Sequence, residues 1–303
     1  MSYETYMVID RRRLKRRLIF WRIVGVLAVI AALSSTFGHF DFGGNKEQIA
    51  RLKIDGIIVN DPFRNKAIDR ISKDDDVKAL ILFINSPGGT FTGGENLYHG
   101  IRKFAEKKPV VALMGGTAAS AAYMIALAAD HIIAGNGTIT GSIGVILQTA
   151  NFTKLLDKIG IKSIIIKSGP MKAQPNPMEP LSSEARAVTT SIIRDLFDIF
   201  VGMVIDRRNM DKATAYKLAD GRIYSGRQAL SNGLIDALGR EADAVKWLND
   251  EHKISDKLPI VDVKITYKEG TWHKLFGNNI RKILFSERLK LDGVLSLWQP
   301  EYR

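Results

Sequence analysis

The sequence has no cysteine among its 303 residues. This absence excludes thiol nucleophiles, structural disulfides and cysteine-based zinc sites, and it suits an oxidising compartment. Two glycine-rich turns are present, but neither carries the dinucleotide pattern G-x-G-x-x-G or the P-loop pattern G-x-x-x-x-G-K-[ST]. Nucleotide binding is therefore disfavoured, and we predict neither a cofactor nor a metal site.

The formal net charge is +12, from 44 Lys and Arg against 32 Asp and Glu. A balance this basic can indicate a nucleic-acid partner. The charge is concentrated, however, because residues 11–17 hold six basic side chains and a second cluster lies in the last 40 residues. Neither cluster belongs to a recognisable nucleic-acid module. We therefore predict no nucleic-acid partner and a position close to a membrane.

Residues 18–37 are almost wholly apolar, with Arg22 as the only charged residue. Their length is at the low end for a helix that spans a membrane. The basic residues upstream predict that the N-terminus stays in the cytoplasm and that the rest of the chain is exported. A cleaved secretory signal is the alternative, but Ala32-Leu33-Ser34 only loosely resembles a cleavage site. We predict a basic cytoplasmic tail at 1–17, an uncleaved anchor at 18–37 and a linker at 38–48.

Beyond the linker, strands and helices alternate within a predicted folded domain at 49–250. Nearly continuous apolar strands between helices indicate a mostly parallel sheet that is covered on both faces. The predicted strands are Arg51–Asn60, Lys78–Asn85, Val110–Met114, His131–Ala134, Ser142–Gln148 and Ser163–Lys167. The predicted helices include Pro62–Lys73, Thr92–Glu106, Ser120–Ala129 and a long one from Ser182 to about Arg208. Sheets of this kind form sites at the carboxyl ends of their strands, where both glycine turns lie.

Ser120 lies directly after the second glycine turn. It follows the strand Val110–Met114 and precedes an alanine-rich helix. Unpaired N–H groups at a helix N-terminus can hold a developing negative charge. The turn at Asn85–Gly89 ends the preceding strand and can supply another N–H donor. These features fit a nucleophile, and they fit close packing of small residues between helix and sheet equally well.

A nucleophilic serine needs a base, and histidine is scarce. Of the five histidines, His99 falls within a predicted helix and His131 at the far end of the helix that begins at Ser120. The elbow pattern G-x-S-x-G is also missing. A lysine can serve instead where burial favours its neutral form. Lys172 is a candidate because its loop carries four prolines and little charge, although most loop lysines are simply solvated.

Four short segments carry a family resemblance: Asn85–Gly89, Gly115–Ser120, Gly141–Val145 and Lys167–Lys172. Their order and spacing resemble the signal peptide peptidase A family, in its short bacterial form, over roughly residues 50–240. More distantly, the chain is similar to the Clp protease proteolytic subunit and the crotonase superfamily. The resemblance implies a Clp protease/crotonase-like α/β fold of stacked ββα units with an N-terminal transmembrane helix. It also makes 49–250 a Ser–Lys peptidase domain.

The resemblance assigns roles to individual residues. It implies that Ser120 is the nucleophile, that Lys172 is the general base and that Ser142 orients the lysine amine. The implied oxyanion hole consists of the backbone N–H groups of Ala121 and of Gly88 or Gly89, with Gly88 preferred. Many relatives have Gly-Gly-Tyr after the serine, where this chain has Ala121-Ala122-Tyr123. The added methyl groups affect the expected side-chain specificity more than the chemistry.

The implied activity is that of a serine endopeptidase anchored in the bacterial inner membrane, with its catalytic domain on the periplasmic side. Its implied substrates are remnant signal peptides, which it degrades through an acyl-enzyme. The family also implies contact with membrane lipid and a ring-like homo-oligomer, in which Lys172 acts on its own subunit's Ser120 or on a neighbour's. A crotonase-like acyl-CoA enzyme and a catalytically inactive membrane scaffold are the alternatives.

Residues 251–303 form the last predicted segment. From residue 270 onward, apolar residues such as Trp272 and Phe276 alternate with basic ones such as Lys274 and Arg281. This pattern is typical of a basic amphipathic segment that contacts a membrane surface or a neighbouring subunit. A terminal helix packed on its own domain is equally compatible with it.

Overall fold

The computed structural model of the protein describes residues 17–29, 47–267 and 295–297. The chain divides into two compact units, Met1–Lys46 and Glu47–Arg303. The described part of the first unit is a helix, α1, at residues 17–29. Within the described ranges, no helix is both long and apolar enough to cross a membrane. The predicted anchor at 18–37 and the amphipathic segment from 270 onward lie partly outside those ranges.

The second unit contains the predicted alternation of strands and helices. Its strands are β1 Gln48–Asp55, β2 Val77–Ser86, β3 Gly88–Thr90, β4 Val110–Ala119, β5 His131–Ala134, β6 Ile139–Gly141, β7 Ile223–Ser225, β8 Ala237–Leu238, β9 Ile260–Asp262 and β10 Leu295–Leu297. Its helices are α2 Pro62–Ser72, α3 Phe91–Ala105, α4 Ala121–Ala126, α5 Thr153–Lys158, α6 Ser183–Arg208, α7 Lys212–Leu218, α8 Gly226–Ser231 and α9 Glu241–His252.

The main sheet has the strand order β7-β6-β4-β2-β1-β9, and β5 pairs with both β4 and β8. All of its pairs are parallel except β6 with β7. The prediction of a mixed α/β fold with a mostly parallel sheet is therefore confirmed. A second, two-stranded sheet joins β10 to β3 in antiparallel register. Both β9 and β10 come from the segment predicted to follow the folded domain.

Burial on both faces of the central strands explains why their sequence is almost continuously apolar. Along β2, Leu80 and Leu82 belong to one hydrophobic cluster, whereas Ala79 and Ile81 belong to another. Successive side chains of a strand point to opposite faces, so the two clusters cover the two faces of the sheet. The first cluster includes residues of α3, α4 and α6, and the second includes residues of α9.

The strands predicted at Ser142–Gln148 and Ser163–Lys167 are wrong. Residues 142–145 and 161–167 have no regular secondary structure. A β-branched apolar run favours a strand only if it finds a partner strand and a surface to cover. The side chains of Ile164 and Ile166 instead remain 85% and 95% exposed. The glycine turn after Met114 is also part of a strand, because β4 continues to Ala119.

Asp236 connects the end of α6 to the start of β5. Its carboxylate accepts hydrogen bonds from Arg208 at 2.7 and 3.1 Å and from the N–H of Ile132 at 2.8 Å. Burial by itself would raise the pKa of Asp236, but the hydrogen bonds from Arg208 and the Ile132 N–H, together with the positive charge of Arg208, outweigh it and hold the pKa below its usual value of 3.8. This carboxylate therefore stabilises the fold in its ionised form.

We expect Asp236→Asn to lower the free energy of unfolding by about 2–3 kcal/mol at pH 7, because it leaves Arg208 partly buried without its anion. A group whose pKa falls on folding contributes its stability above its unfolded pKa and loses it as the pH falls through the folded pKa. Urea denaturation should therefore show the difference from wild type shrinking below about pH 3.8. Asp250→Asn, at the exposed pair of Asp250 with Lys246, should cost about 0.5 kcal/mol or less. Equal losses for both variants would contradict this account.

Candidate active site

Ser120 occupies the junction between β4 and α4. Its backbone has φ 58° and ψ −123°, a conformation that residues other than glycine rarely adopt. Hydrogen bonds hold it on both sides, from the Ser120 N–H to the Gly141 carbonyl at 2.8 Å and from the Met124 N–H to the Ser120 carbonyl at 3.0 Å. The residue is 1% exposed. The surrounding structure thus fixes a strained serine at a strand-to-helix turn.

The Gly88–Gly89 turn lies beside this junction because β2 pairs with β4, with Ser86 opposite Ala118. The Gly88 carbonyl accepts from Ile58 N–H at 2.9 Å, and the Thr90 N–H donates to the Ile58 carbonyl at 2.8 Å. A Cβ at position 89 would come within 1.9 Å of the Ile58 oxygen. Only glycine therefore permits this close approach of two backbones.

The two glycines differ in where their N–H groups point. The Gly88 N–H donates to the Ser86 hydroxyl at 3.1 Å. Both neighbours of Gly89 bond to Ile58, and backbone groups alternate between the two edges of a strand. The N–H of Gly89 therefore faces the opposite edge of β3, along which β10 lies. A substrate oxyanion would therefore have to replace the Ser86 hydroxyl at the Gly88 N–H or β10 at the Gly89 N–H.

Ser142 lies next to the same junction through the pairing of β4 with β6, which places Ala119 opposite Gly141. Ser142 has φ 50°, and its N–H donates to the Arg222 carbonyl at 2.8 Å. Gly141 has φ 80°, and a Cβ there would come within 2.6 Å of the Tyr224 ring. A close approach and a left-handed backbone thus explain the glycine that precedes Ser142.

Strand pairing therefore brings together five of the six predicted site residues, which are Ser120, Ala121, Ser142, Gly88 and Gly89. Lys172 is not among the residues that these pairings assemble. It lies in the loop between residues 161 and 182, where its side chain is exposed and its N–H donates to the Gly169 carbonyl at 3.1 Å. The nucleophile is therefore buried, and the candidate base is carried by a peripheral loop.

The described histidines lie elsewhere in the fold. His131 opens β5 opposite Val111, at the end of β4 away from Ser120. Its ring stacks on Trp247 with 4.8 Å between centroids and an interplanar angle of 10°. His99 and His252 are exposed on α3 and α9. Within the described residues, no group of three or more metal-ligating side chains could hold a metal ion.

Two polar residues that support the site were not singled out from the sequence. The Asn85 side chain accepts from the Thr117 N–H at 3.3 Å and so fixes the outer part of β4. The buried hydroxyl of Ser86 donates to the Gly88 carbonyl at 3.3 Å. The sequence feature that could have identified them is their position in the segment Asn85–Gly89, directly before the turn that both side chains stabilise.

Tyr123 holds α4 in place from its other face. Its hydroxyl donates to the Leu234 carbonyl at 2.8 Å, and the whole side chain is buried. Burial raises the pKa of the Tyr123 hydroxyl, so the phenol stays neutral and remains a hydrogen-bond donor. The helix that follows the nucleophile is thus tied to the core by a buried hydrogen bond.

Comparisons with known proteins identify the family of this chain. The sequence profile of peptidase family S49 matches residues 102–255, and the Clp protease profile matches residues 59–134. A protease-named relative from Synechocystis is 39% identical over 205 residues, covering 67% of this chain and 73% of the relative. A relative from Enterococcus faecium, named as the signal peptide peptidase SppA, is 32% identical and covers 85% of this chain and 78% of its own length.

Among solved structures, the chain is similar to a mutant of a membrane-bound stomatin-specific protease. The TM-score is 0.48 and the sequence identity 16%, over 73% of this chain and 99% of that one.

Proposed function

This chain belongs to peptidase family S49, and we propose that it is a membrane-anchored serine endopeptidase that degrades remnant signal peptides with a Ser120–Lys172 dyad. The observation that carries the proposal is the backbone of Ser120, which is strained, buried and held by hydrogen bonds between Gly141 at the end of β6 and the start of α4. Strain of this kind persists where the surrounding structure enforces it, and it is concentrated at functional sites.

In the proposed mechanism, the Lys172 amine takes the proton of the Ser120 hydroxyl as the oxygen attacks a peptide carbonyl. The N–H groups of Ala121 and of Gly88 or Gly89 then stabilise the oxyanion, and losing one such donor costs about 3–4 kcal/mol in comparable enzymes. The protonated lysine next gives its proton to the leaving amine. Water hydrolyses the acyl-enzyme, and the Ser142 hydroxyl orients the lysine amine throughout.

A homo-oligomer is part of the proposal because the base has to be uncharged to accept a proton. An exposed lysine is generally charged at neutral pH, so the active enzyme has to bury the side chain of Lys172. The segment that carries it also exposes large apolar side chains, among them Ile146, Phe152, Leu155, Ile159, Ile164, Ile166 and Met178. So many exposed apolar side chains within one segment favour contact with another protein surface or a membrane. We propose that a neighbouring subunit covers this segment.

The proposed location is the bacterial inner membrane, with the N-terminus in the cytoplasm and the catalytic domain outside it. The support for it is the basic stretch at 11–17 followed by the apolar residues of 18–37. Apolar substrates left in a membrane after protein export, such as cleaved signal peptides, would reach a site tethered in this way.

Degradation of a synthetic signal peptide by the full chain in detergent micelles tests the proposed activity. We expect cleavage within its apolar core, detected as new peptide masses, because an extended apolar segment fits a site reached from a membrane. A peptide of the same length in which Ser and Gln replace the apolar core is the matched substrate control. Cleavage of both at equal rates, or of neither, would contradict the proposed substrate class.

A further inference from the structure

Glu179 collects hydrogen bonds from both sides of Lys172. Its Oε2 atom accepts from the ammonium of Lys167, which precedes the candidate base, and from the side-chain amide of Gln174, which follows it. The amide of Asn176 donates to the same oxygen at 3.0 Å. One carboxylate oxygen thus closes the loop that runs from residue 167 to residue 179 and has Lys172 near its middle.

Further hydrogen bonds extend this closure along the backbone of the loop. Asn176 also donates to the Ala173 carbonyl at 3.1 Å and accepts from the Met178 N–H at 2.9 Å. The Pro177 carbonyl accepts from the Phe152 N–H at 2.8 Å, which joins the loop to the start of α5. The residues on both sides of Lys172 are thereby fixed although the lysine side chain itself is exposed.

The ion pair between Lys167 and Glu179 is largely shielded from water, which strengthens its contribution to the loop. Only 13% of the Lys167 side chain and 23% of the Glu179 side chain are exposed. Hydrogen bonds between ionised partners are about twice as strong as neutral ones, and removing one partner leaves the other ion partly buried without its counter-charge. The interaction with Lys167 is also the main reason that the pKa of Glu179 lies below its usual value, so the carboxylate is ionised at neutral pH.

We propose that Glu179 is a positioning residue for catalysis: its contacts with Lys167, Gln174 and Asn176 keep the loop in one shape, from which Lys172 reaches the serine of its own or of a neighbouring subunit in the assembled enzyme. This inference rests on the proposed role of Lys172 as the base. A general base has to come within hydrogen-bond distance of the proton it removes, and a misplacement of about 1 Å can cost about 100-fold in rate. A free loop would also lose entropy each time the lysine is brought into place.

The test is the steady-state kinetics of the full-length Glu179→Gln variant on a short apolar peptide. Glutamine keeps the shape of the side chain but removes its charge. We expect kcat to fall about 10- to 100-fold with KM within about twofold, because the substrate contacts remain and only the base is misplaced. Glu184→Gln, an exposed carboxylate at the start of α6, is the matched control and should leave both constants unchanged.

A double-mutant cycle with Lys167→Met separates positioning from simple stability. If Lys167 acts through Glu179, the double variant should lose no more kcat than Glu179→Gln alone. Should Glu179→Gln melt below the assay temperature, Asn176→Ala removes one arm of the network and should still lower kcat about threefold or more. A kcat within twofold of wild type in folded Glu179→Gln, or an equal rise in KM, overturns the inference.

The two proposals fail in different ways. If Lys172→Ala is inactive and Glu179→Gln is fully active, the Ser–Lys dyad stands and the role of Glu179 is refuted. If Lys172→Ala keeps wild-type activity, the dyad fails, and the role of Glu179 fails with it.

Discussion

Replacing Ser120 by alanine should lower kcat for peptide cleavage by about 10⁴-fold or more. Loss of a serine nucleophile in a comparable protease costs about 10⁶-fold, and the remaining acceleration comes from the oxyanion hole and substrate binding. The substitution removes only the side-chain hydroxyl, so the backbone N–H groups around position 120 stay in place in the variant. KM should therefore change little. Cleavage of a fluorogenic apolar peptide, followed over hours at high enzyme concentration, measures the residual rate.

Ser191→Ala is the matched control for this substitution. Ser191 is an exposed serine on α6, and its replacement should leave kcat within twofold of wild type. Circular dichroism and the melting temperature should agree among wild type and both variants. A Ser120→Ala protein that is folded and retains more than about a tenth of wild-type kcat would exclude Ser120 as the nucleophile.

Replacing Lys172 by alanine should lower kcat by about 10³-fold or more, because serine then has no group to take its proton. General base catalysis accounts for about 10²–10⁴-fold in enzymes. Lys172→Arg should be nearly as inactive, since a guanidinium stays protonated at any pH at which the protein is folded. The arginine variant keeps the charge and most of the length of the side chain, so its inactivity would point to proton transfer rather than to lost attraction for the substrate.

Lys162→Ala is the control for the lysine variants, because Lys162 is an exposed lysine in the same segment. It should keep wild-type kcat. Size-exclusion chromatography with light scattering measures the oligomer size of each variant and shows whether a lower kcat results from dissociation of the oligomer. An intact oligomer of Lys172→Ala with activity close to wild type would show that another group is the base.

Much of the site could be predicted from sequence because its residues lie at the ends of apolar strands. The run Val110–Met114 is continuously apolar, and this pattern predicts a strand that is buried on both faces. The residues that follow it had to emerge at the carboxyl edge of the sheet. This logic placed Ser120 and the Gly88–Gly89 turn at the same edge, and the pairing of β2 with β4 confirms it.

What the sequence did not reveal depends on contacts between distant segments. Ile164 and Ile166 have the composition of a strand, but propensity says nothing about whether a partner strand is present. The short strands β6 and β7 escaped prediction because each has only three residues. The hydrogen bonds of Glu179 could not be predicted either, because a loop of prolines and polar residues has no periodic pattern that shows which side chains meet.

The central claim, that Ser120 forms a covalent intermediate, is tested most directly by trapping the acyl-enzyme. The full-length enzyme is mixed with an apolar peptide ester, quenched in acid within milliseconds to seconds and digested for peptide mapping by mass spectrometry. The account predicts one peptide that contains Ser120 and is heavier by the mass of the acyl group, and no such peptide from Ser120→Ala. Acylation at a different residue, or turnover of the ester at full rate by Ser120→Ala, would contradict it.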